Sequence, residues 1–333
     1  MRLKTGFTRK KPSCGIVWAC NIVTPEDIRQ AHRRIDRYIR ATPVVTLEAG
    51  ALCAVPVTLK LEHLQHSGSF KCRGAFNTLL SHDVPDAGVV AVSGGNHGAA
   101  VAYAATQLGH KSTVFVPDYA SQVKMDRMRG FGADVIPSGI DFQAVIDKFE
   151  AFARDTGALA VHPFDAPSVL AGQGTVALEF DRQIPDLDTV IISVGGGGLI
   201  GGVSSWFGAR VNVVAVESEG TATYATALRD GKDAVITPSG ISADSLGAPR
   251  LGALAYDALT AAKRPSVLVT DAQIIAAQQQ LWDAARILGE PGAATALAAL
   301  TSGAYRPEKD ERIGVLICGG NAAPGWFLAK ETP

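Results

Sequence analysis

Thr189-Val190-Ile191-Ile192-Ser193-Val194-Gly195-Gly196-Gly197-Gly198-Leu199-Ile200-Gly201-Gly202 is the stretch that decides the fold. Its first half is an unbroken apolar, β-branched run of strand length, which reads as a strand covered on both faces. Its second half is glycine at the handover to a helix near 199–208. Working outward, the same handover recurs. Ser93-Gly94-Gly95-Asn96-His97-Gly98 follows the run Val89 to Val92, and Cys318-Gly319-Gly320-Asn321 ends the run Ile313 to Cys318. Ala171-Gly172-Gln173-Gly174-Thr175 reads as a fourth cluster of this kind, after Ala158 to Val161. A fifth, Ser67-Gly68-Ser69-Phe70-Lys71-Cys72-Arg73-Gly74, precedes a helix. Further strands are expected at Val57 to Glu62, Ser112 to Val116, Asp134 to Ile136 and Asn212 to Val216. Helices are expected near 97–109, 121–131, 141–156, 221–230, 252–262 and 271–288. An earlier helix starts at Thr24-Pro25-Glu26-Asp27, an N-cap with proline in the first turn and a capping box, followed by Ile28, Ala31, Ile35 and Ile39 at helical spacing. Alternating strands and helices with apolar strands imply an α/β protein of two open parallel-sheet lobes.

Composition agrees. A chain of 333 residues exceeds what one core usually serves, and 47% hydrophobic residues suffice to build one. The 31 Lys+Arg against 32 Asp+Glu give no reason to expect nucleic acid or an anionic membrane as partner. The five cysteines (Cys14, Cys20, Cys53, Cys72 and Cys318) are odd in number and irregular in spacing, against a disulfide framework or zinc site. No apolar stretch approaches a membrane span. Residues 1–21, with Arg2, Lys4, Arg9, Lys10 and Lys11, read as a loose basic tail rather than a signal peptide, so a cytoplasmic location is expected. The anomaly is 35 glycines with no repeat, which need specific places to sit.

Glycine at the carboxyl end of a parallel strand lets backbone N–H groups approach an anion, and the helix that follows favours negative charge. Two chemistries compete for the 195–202 cluster. Gly196-x-Gly198-x-x-Gly201, with Glu217 at the end of the next strand, satisfies the dinucleotide fingerprint and leaves a nicotinamide-dependent oxidoreductase open. Four consecutive glycines instead suit a cup around a single phosphate. Lys71 favours the second. A phosphate cup with a desolvated lysine is the pair that pyridoxal phosphate requires.

Taken together, Ser69-Phe70-Lys71-x-Arg73-Gly74-Ala75, Ser93 to Gly98, His162-Pro163-Phe164-Asp165 running into Ala171 to Thr175, Gly195 to Leu199, Glu290-Pro291-Gly292-Ala293-Ala294 and Cys318 to Asn321 resemble, in order, the fold-type-II pyridoxal-phosphate enzymes, specifically the serine/threonine dehydratase and serine racemase group. The resemblance spans residues 22–325. It implies a tryptophan synthase β-like fold with a large cofactor-binding domain of 22–77 and 161–333, a small domain of 78–160, and the active site between them. It further implies that Lys71 holds pyridoxal 5'-phosphate as a Schiff base and moves the Cα proton, while Phe70 packs on the ring. Gly195, Gly196, Gly197, Gly198 and Leu199 would bind the phosphate, and Asn96 the ring hydroxyl. Glu290 would line the cofactor site, and Cys318 would face the pyridine nitrogen. Ser93, Gly94, Gly95, Asn96 and His97 would grip the carboxylate of an amino-acid substrate. The implied reaction is α,β-elimination of water from L-threonine or L-serine, giving a 2-oxo acid and ammonia. 3-Hydroxyaspartate dehydration and serine racemisation are the alternatives, and a homodimer is the implied assembly.

Two departures matter. Racemases of the group carry a serine immediately before the Gly-Asn-His, and here that position is Gly94, which cannot move a proton; dehydration is favoured accordingly. Metal-dependent relatives use a glutamate after the valine-rich strand and a downstream aspartate. Glu217 matches the first, but the second is Thr223, so a divalent cation at Glu217 is left open. The resemblance runs nearly to Pro333, so no C-terminal regulatory domain is expected. His63, His66 and Cys72 read as structural, and Trp206, Trp282 and Trp326 as core or interface.

Overall fold

The computed structural model describes residues 23–322, so the basic tail, Cys14, Cys20 and Trp326 lie outside the described residues. Helix α1 (Pro25–Ile35) starts as its sequence dictates. The Thr24 hydroxyl accepts from Asp27 N–H, the Asp27 carboxylate accepts from Thr24 N–H at 2.8 Å, and Ile28, Ala31 and Ile35 are buried.

A hairpin of β1 (Val44–Leu47) and β2 (Val57–Leu61) leads into α2 (Lys71–Leu80). The chain then builds one lobe from β3 (Val89–Val92), α3 (Asn96–Gln107), β4 (Ser112–Val116), α4 (Gln122–Gly130), β5 (Asp134–Pro137), α5 (Phe142–Thr156) and β6 (Leu159–Ala160). These strands pair in parallel in the order β5-β4-β3-β6. The long helix α6 (Pro167–Gln183) returns to the other lobe. There β7 (Thr189–Ser193), α7 (Gly198–Phe207), β8 (Asn212–Ser218), α8 (Thr223–Asp230), α9 (Ala243–Leu246), α10 (Ala253–Ala261), β9 (Ser266–Val269), α11 (Asp271–Ala285), α12 (Pro291–Thr301) and β10 (Ile313–Ile317) complete a sheet of order β1-β2-β10-β7-β8-β9. That sheet is parallel except for β1, which pairs antiparallel to β2 at its edge. The molecule is an α/β protein of two parallel-sheet lobes. Every residue of β7 and β10 is buried, as expected of strands covered by helices on both faces.

Five elements are not anticipated by the sequence: β1, β9, α6, α9 and α12. The most informative is α6, because Ala171 to Thr175 lies inside it and is no strand-end cluster. Its glycines serve helix crossing. A Cβ on Gly172 would lie 2.6 Å from the Arg73 carbonyl oxygen and 2.7 Å from Gly74 Cα, and one on Gly202 would lie 2.6 Å from Gly174 N. Backbone touches backbone where α6 crosses α2 and α7. The glycine excess is therefore divided between a pocket and the packing of the helices behind it. Among the described residues, no helix is long and apolar enough to cross a membrane.

Candidate active site

Lys71 opens α2, and its approach is tightly shaped. Ser67 (φ 57°) and Gly68 (φ +77°) turn the chain, and a Cβ on Gly68 would overlap the Asn321 side chain. Ser69 then bridges antiparallel to Gly319, and Phe70 N–H donates to the Cys318 carbonyl at 3.1 Å. This brings the Lys71 and Cys318 motifs side by side although they lie far apart in sequence. The Lys71 Nζ donates to the Pro163 carbonyl at 2.7 Å and lies 5.3 Å from the Phe70 ring centroid. Desolvation lowers its pKa from 10.5 to about 8, against weaker opposing effects from Cys318 and Glu290.

Behind Lys71, Arg73 is fully buried. It donates to both oxygens of Glu62, at 2.8 and 2.7 Å, and to Glu179 at 3.0 Å. Glu179 in turn pairs with buried Lys60. Two cations and two carboxylates thus anchor the first turn of α2. From the sequence, Arg73 is visible only as one position of the Lys71 motif. Nothing local marks its partners, because Glu179 is 106 residues away.

The glycine run after β7 forms the second wall. Gly197 has φ +85°, a conformation that disfavours any side chain, and a Cβ on Gly196 would overlap the Phe164 ring. The Thr223 hydroxyl donates to the Gly195 carbonyl at 2.6 Å, and Gly252 N–H donates to the Gly196 carbonyl at 3.0 Å. The N–H groups of Gly198 and Leu199 open α7 and have no partner within the helix. A glycine turn packed too closely against Phe164, Leu246 and Leu251 to admit side chains, with N–H groups free at the start of α7 and a desolvated lysine held by the adjacent Pro163, fits a phosphate-bearing aldehyde.

The loop after β3 makes the third wall. Ser93 Oγ accepts from Gly95 N–H at 3.1 Å. The Asn96 amide nitrogen donates to Glu290 at 2.7 Å, while its oxygen accepts from Asn321 at 2.7 Å. Burial pushes the Glu290 carboxyl up to about 7, although the Asn96 bond opposes this. Burial also pushes up the Cys318 thiol, keeping it protonated. His97 is inside the protein: its Nε2 lies 2.9 Å from the Val161 carbonyl and its pKa is pushed down to about 3 by burial. The imidazole thus ties α3 to the β6 end, and what His97 can offer to the loop is its backbone. Asn321, Phe164 and Pro163 complete the walls. They sit in motifs quoted from the sequence, but only the folded contacts reveal what they do.

Glu217 is engaged by the backbone and side chains around it. Its carboxylate accepts from Tyr224 N–H (2.6 Å), Ala225 N–H (2.9 Å) and the Ser266 hydroxyl (3.0 Å), with the Thr223 hydroxyl at 3.4 Å. It anchors the start of α8 through these donors, which a cation or a ribose hydroxyl at Glu217 would have to displace. Among the described residues, no group of three His, Cys, Asp or Glu side chains could hold a metal ion.

Known proteins carry the same architecture. The family model described as "Pyridoxal-phosphate dependent enzyme" matches residues 35–319. A serine racemase of Dictyostelium discoideum is 35% identical over 308 residues, covering 90% of this chain and 95% of that protein. An L-threonine ammonia-lyase of Thermotoga maritima is 33% identical over 306 residues, covering 90% of this chain and 76% of that protein. The solved structure of maize serine racemase superposes with a TM-score of 0.87 at 29% identity, covering 93% of this chain and 97% of the other. With a desolvated lysine in the Lys71 motif and a match over nearly its whole described length, this protein is a member of the pyridoxal-phosphate-dependent enzyme family, of fold type II.

Proposed function

We propose that the protein removes water from a β-hydroxy-L-amino acid, L-threonine or L-serine, giving a 2-oxo acid and ammonia. The observation that carries this reading is Gly94. The chain presents a lysine on one side of the site, and at the position preceding Gly95-Asn96-His97 it presents no side chain at all. One proton-moving group suffices for elimination. Racemisation needs a second on the opposite face. The serine racemase relatives keep racemisation as the second reading, and Gly94 weighs against it.

Pyridoxal phosphate, when bound, supplies an electron sink for the pair left at Cα. The remaining work belongs to the chain. Lys71, with its pKa near 8, keeps a neutral fraction at physiological pH and can take the Cα proton. The Ser93–His97 loop offers backbone N–H groups at the start of α3 to the substrate carboxylate. In this reading Asn96 would hold the cofactor's ring oxygen, Phe70 would pack against the ring, and the protonated Cys318 thiol would face its nitrogen. Thr223 and Gly252, by holding the Gly195 and Gly196 carbonyls, fix the glycine cradle for the phosphate.

The test measures 2-oxo acid and D-enantiomer together from L-serine and L-threonine, for wild type and Gly94→Ser. A Cβ at Gly94 would approach Ala120 Cβ to 3.2 Å and Pro117 Cδ to 3.6 Å, so the loop must give only slightly. Wild type is expected to form 2-oxo acid with little D-product, and Gly94→Ser to gain D-serine formation. Wild-type D-serine formation as fast as 2-oxo acid formation would overturn the assignment.

A further inference from the structure

Helix α4 belongs to the smaller lobe. Its Met125 and Met128 are buried against Val114, Val116, Ala99 and Ala102. Lys124 and Arg127, one turn apart on the same helix, leave that lobe and reach the other. Lys124 pairs with Asp244, whose carbonyl oxygen would be 3.6 Å from a Cβ on Gly95. Arg127 donates to the Asn321 side-chain oxygen. It is half-buried, and among the described residues it makes no ion pair with a carboxylate.

The bonds beyond Arg127 all run one way. Asn321 accepts from Arg127 and donates through its amide nitrogen to the Ser67 carbonyl at 2.8 Å and to Asn96 Oδ1 at 2.7 Å. Both amide hydrogens of Asn321 are thereby used, and its orientation is determined at both ends. Asn96 must then turn its oxygen toward Asn321 and its nitrogen toward Glu290, leaving one amide hydrogen for a ligand. A cation stands at one end of this chain and a buried carboxylate at the other. Two amides between them are aligned head to tail, an arrangement in which each bond polarises the next.

We infer that Arg127 is a positioning residue: closure of α4 onto the large lobe completes the relay Arg127–Asn321–Asn96–Glu290, which holds the Asn96 amide N–H toward the ring oxygen of the cofactor and stabilises that oxygen in its deprotonated form. The inference rests on the proposed contact between Asn96 and that oxygen. It couples the position of the smaller lobe to the electronic state of the cofactor without any step of the reaction being assigned to Arg127.

The readout is the absorption spectrum of fully loaded protein at one pH, where the ratio of the visible to the near-ultraviolet band reports the ring oxygen's protonation. Arg127→Met is expected to lower that ratio about tenfold, equivalent to one pKa unit, because the relay loses its charged end. Arg127→Lys keeps a cation and is expected to retain most of the ratio, which separates positioning from loss of folding. Adding Arg127→Met to Asn321→Ala is expected to change nothing more, since the link is already cut. If Asn96→Ala alters the ratio and Arg127→Met does not, the relay is wrong while the Asn96 assignment stands. A ratio unmoved by Asn96→Ala overturns the assignment and the relay with it.

Discussion

Loading of the cofactor should follow the titration of Lys71. Its ammonium end faces the Pro163 carbonyl in a desolvated site, with only Cys318 and Glu290 as acidic neighbours, and desolvation lowers its pKa from 10.5 to about 8. That drop corresponds to about 3.4 kcal/mol of lost preference for the charged form. At pH 7 it leaves roughly one amine in ten neutral, against about one in three thousand for an ordinary lysine, an advantage of about 300-fold in attack on an aldehyde at equal intrinsic reactivity. Rapid mixing of cofactor-free protein with pyridoxal phosphate, followed by absorbance, should give rates that climb about tenfold per pH unit and level off near pH 8. Rates still climbing tenfold per unit above about pH 9 would show a solvated ammonium and refute the reasoning. The same shift sets the pH dependence of stability. The unfolded chain keeps this proton to about pH 10.5, whereas the cofactor-free native state releases it near 8. Between those values the unfolded state binds more protons, so stability rises with pH, by up to about 3 kcal/mol. Below pH 8 both states are protonated and the desolvation penalty stands in full.

Three further outcomes are expected. Glu179→Ala removes the carboxylate shared by Lys60 and Arg73 and should destabilise the protein by about 3–5 kcal/mol in urea unfolding, because Lys60 is left buried and uncompensated; a loss below about 1 kcal/mol would count against the buried cluster. Gly172→Ala places a methyl 2.6 Å from the Arg73 carbonyl and should cost about 1–3 kcal/mol; because α2 carries Lys71, turnover should fall together with Tm. Cys318→Asp puts an ionised group where the thiol stays protonated. With Cys318 facing the pyridine nitrogen, it should increase side transamination relative to elimination, and an unchanged product partition would remove Cys318 from that place.

Much of the proposed site was legible because its chemistry is local. The Lys71 motif, the Gly195–Gly198 run and the Ser93–His97 loop are each contiguous, and each sits where a strand or extended segment meets a helix. Their neighbours were not legible, since a bond such as Asn96 to Glu290 joins residues 194 apart and leaves no trace in spacing. The strands β1 and β9 were missed for a related reason. They are short, lie at the edges of the large sheet and are partly exposed.

Glycine shows where the two kinds of information divide. Most of the strands and helices, the lysine motif and the glycine run after β7 follow from the sequence, because backbone propensity, apolar runs and glycine at strand ends act over a few residues. Which glycines serve a ligand and which serve a helix crossing was decided only in three dimensions. Gly197 is needed for its left-handed backbone beside the cradle, and Gly172 because Arg73 and Gly74 press against it from another helix. Tertiary structure also showed Glu217 anchoring the start of α8 and the His97 imidazole buried against Val161. A side chain's residue type is local, but the partners that consume its hydrogen-bonding capacity arrive from distant parts of the chain.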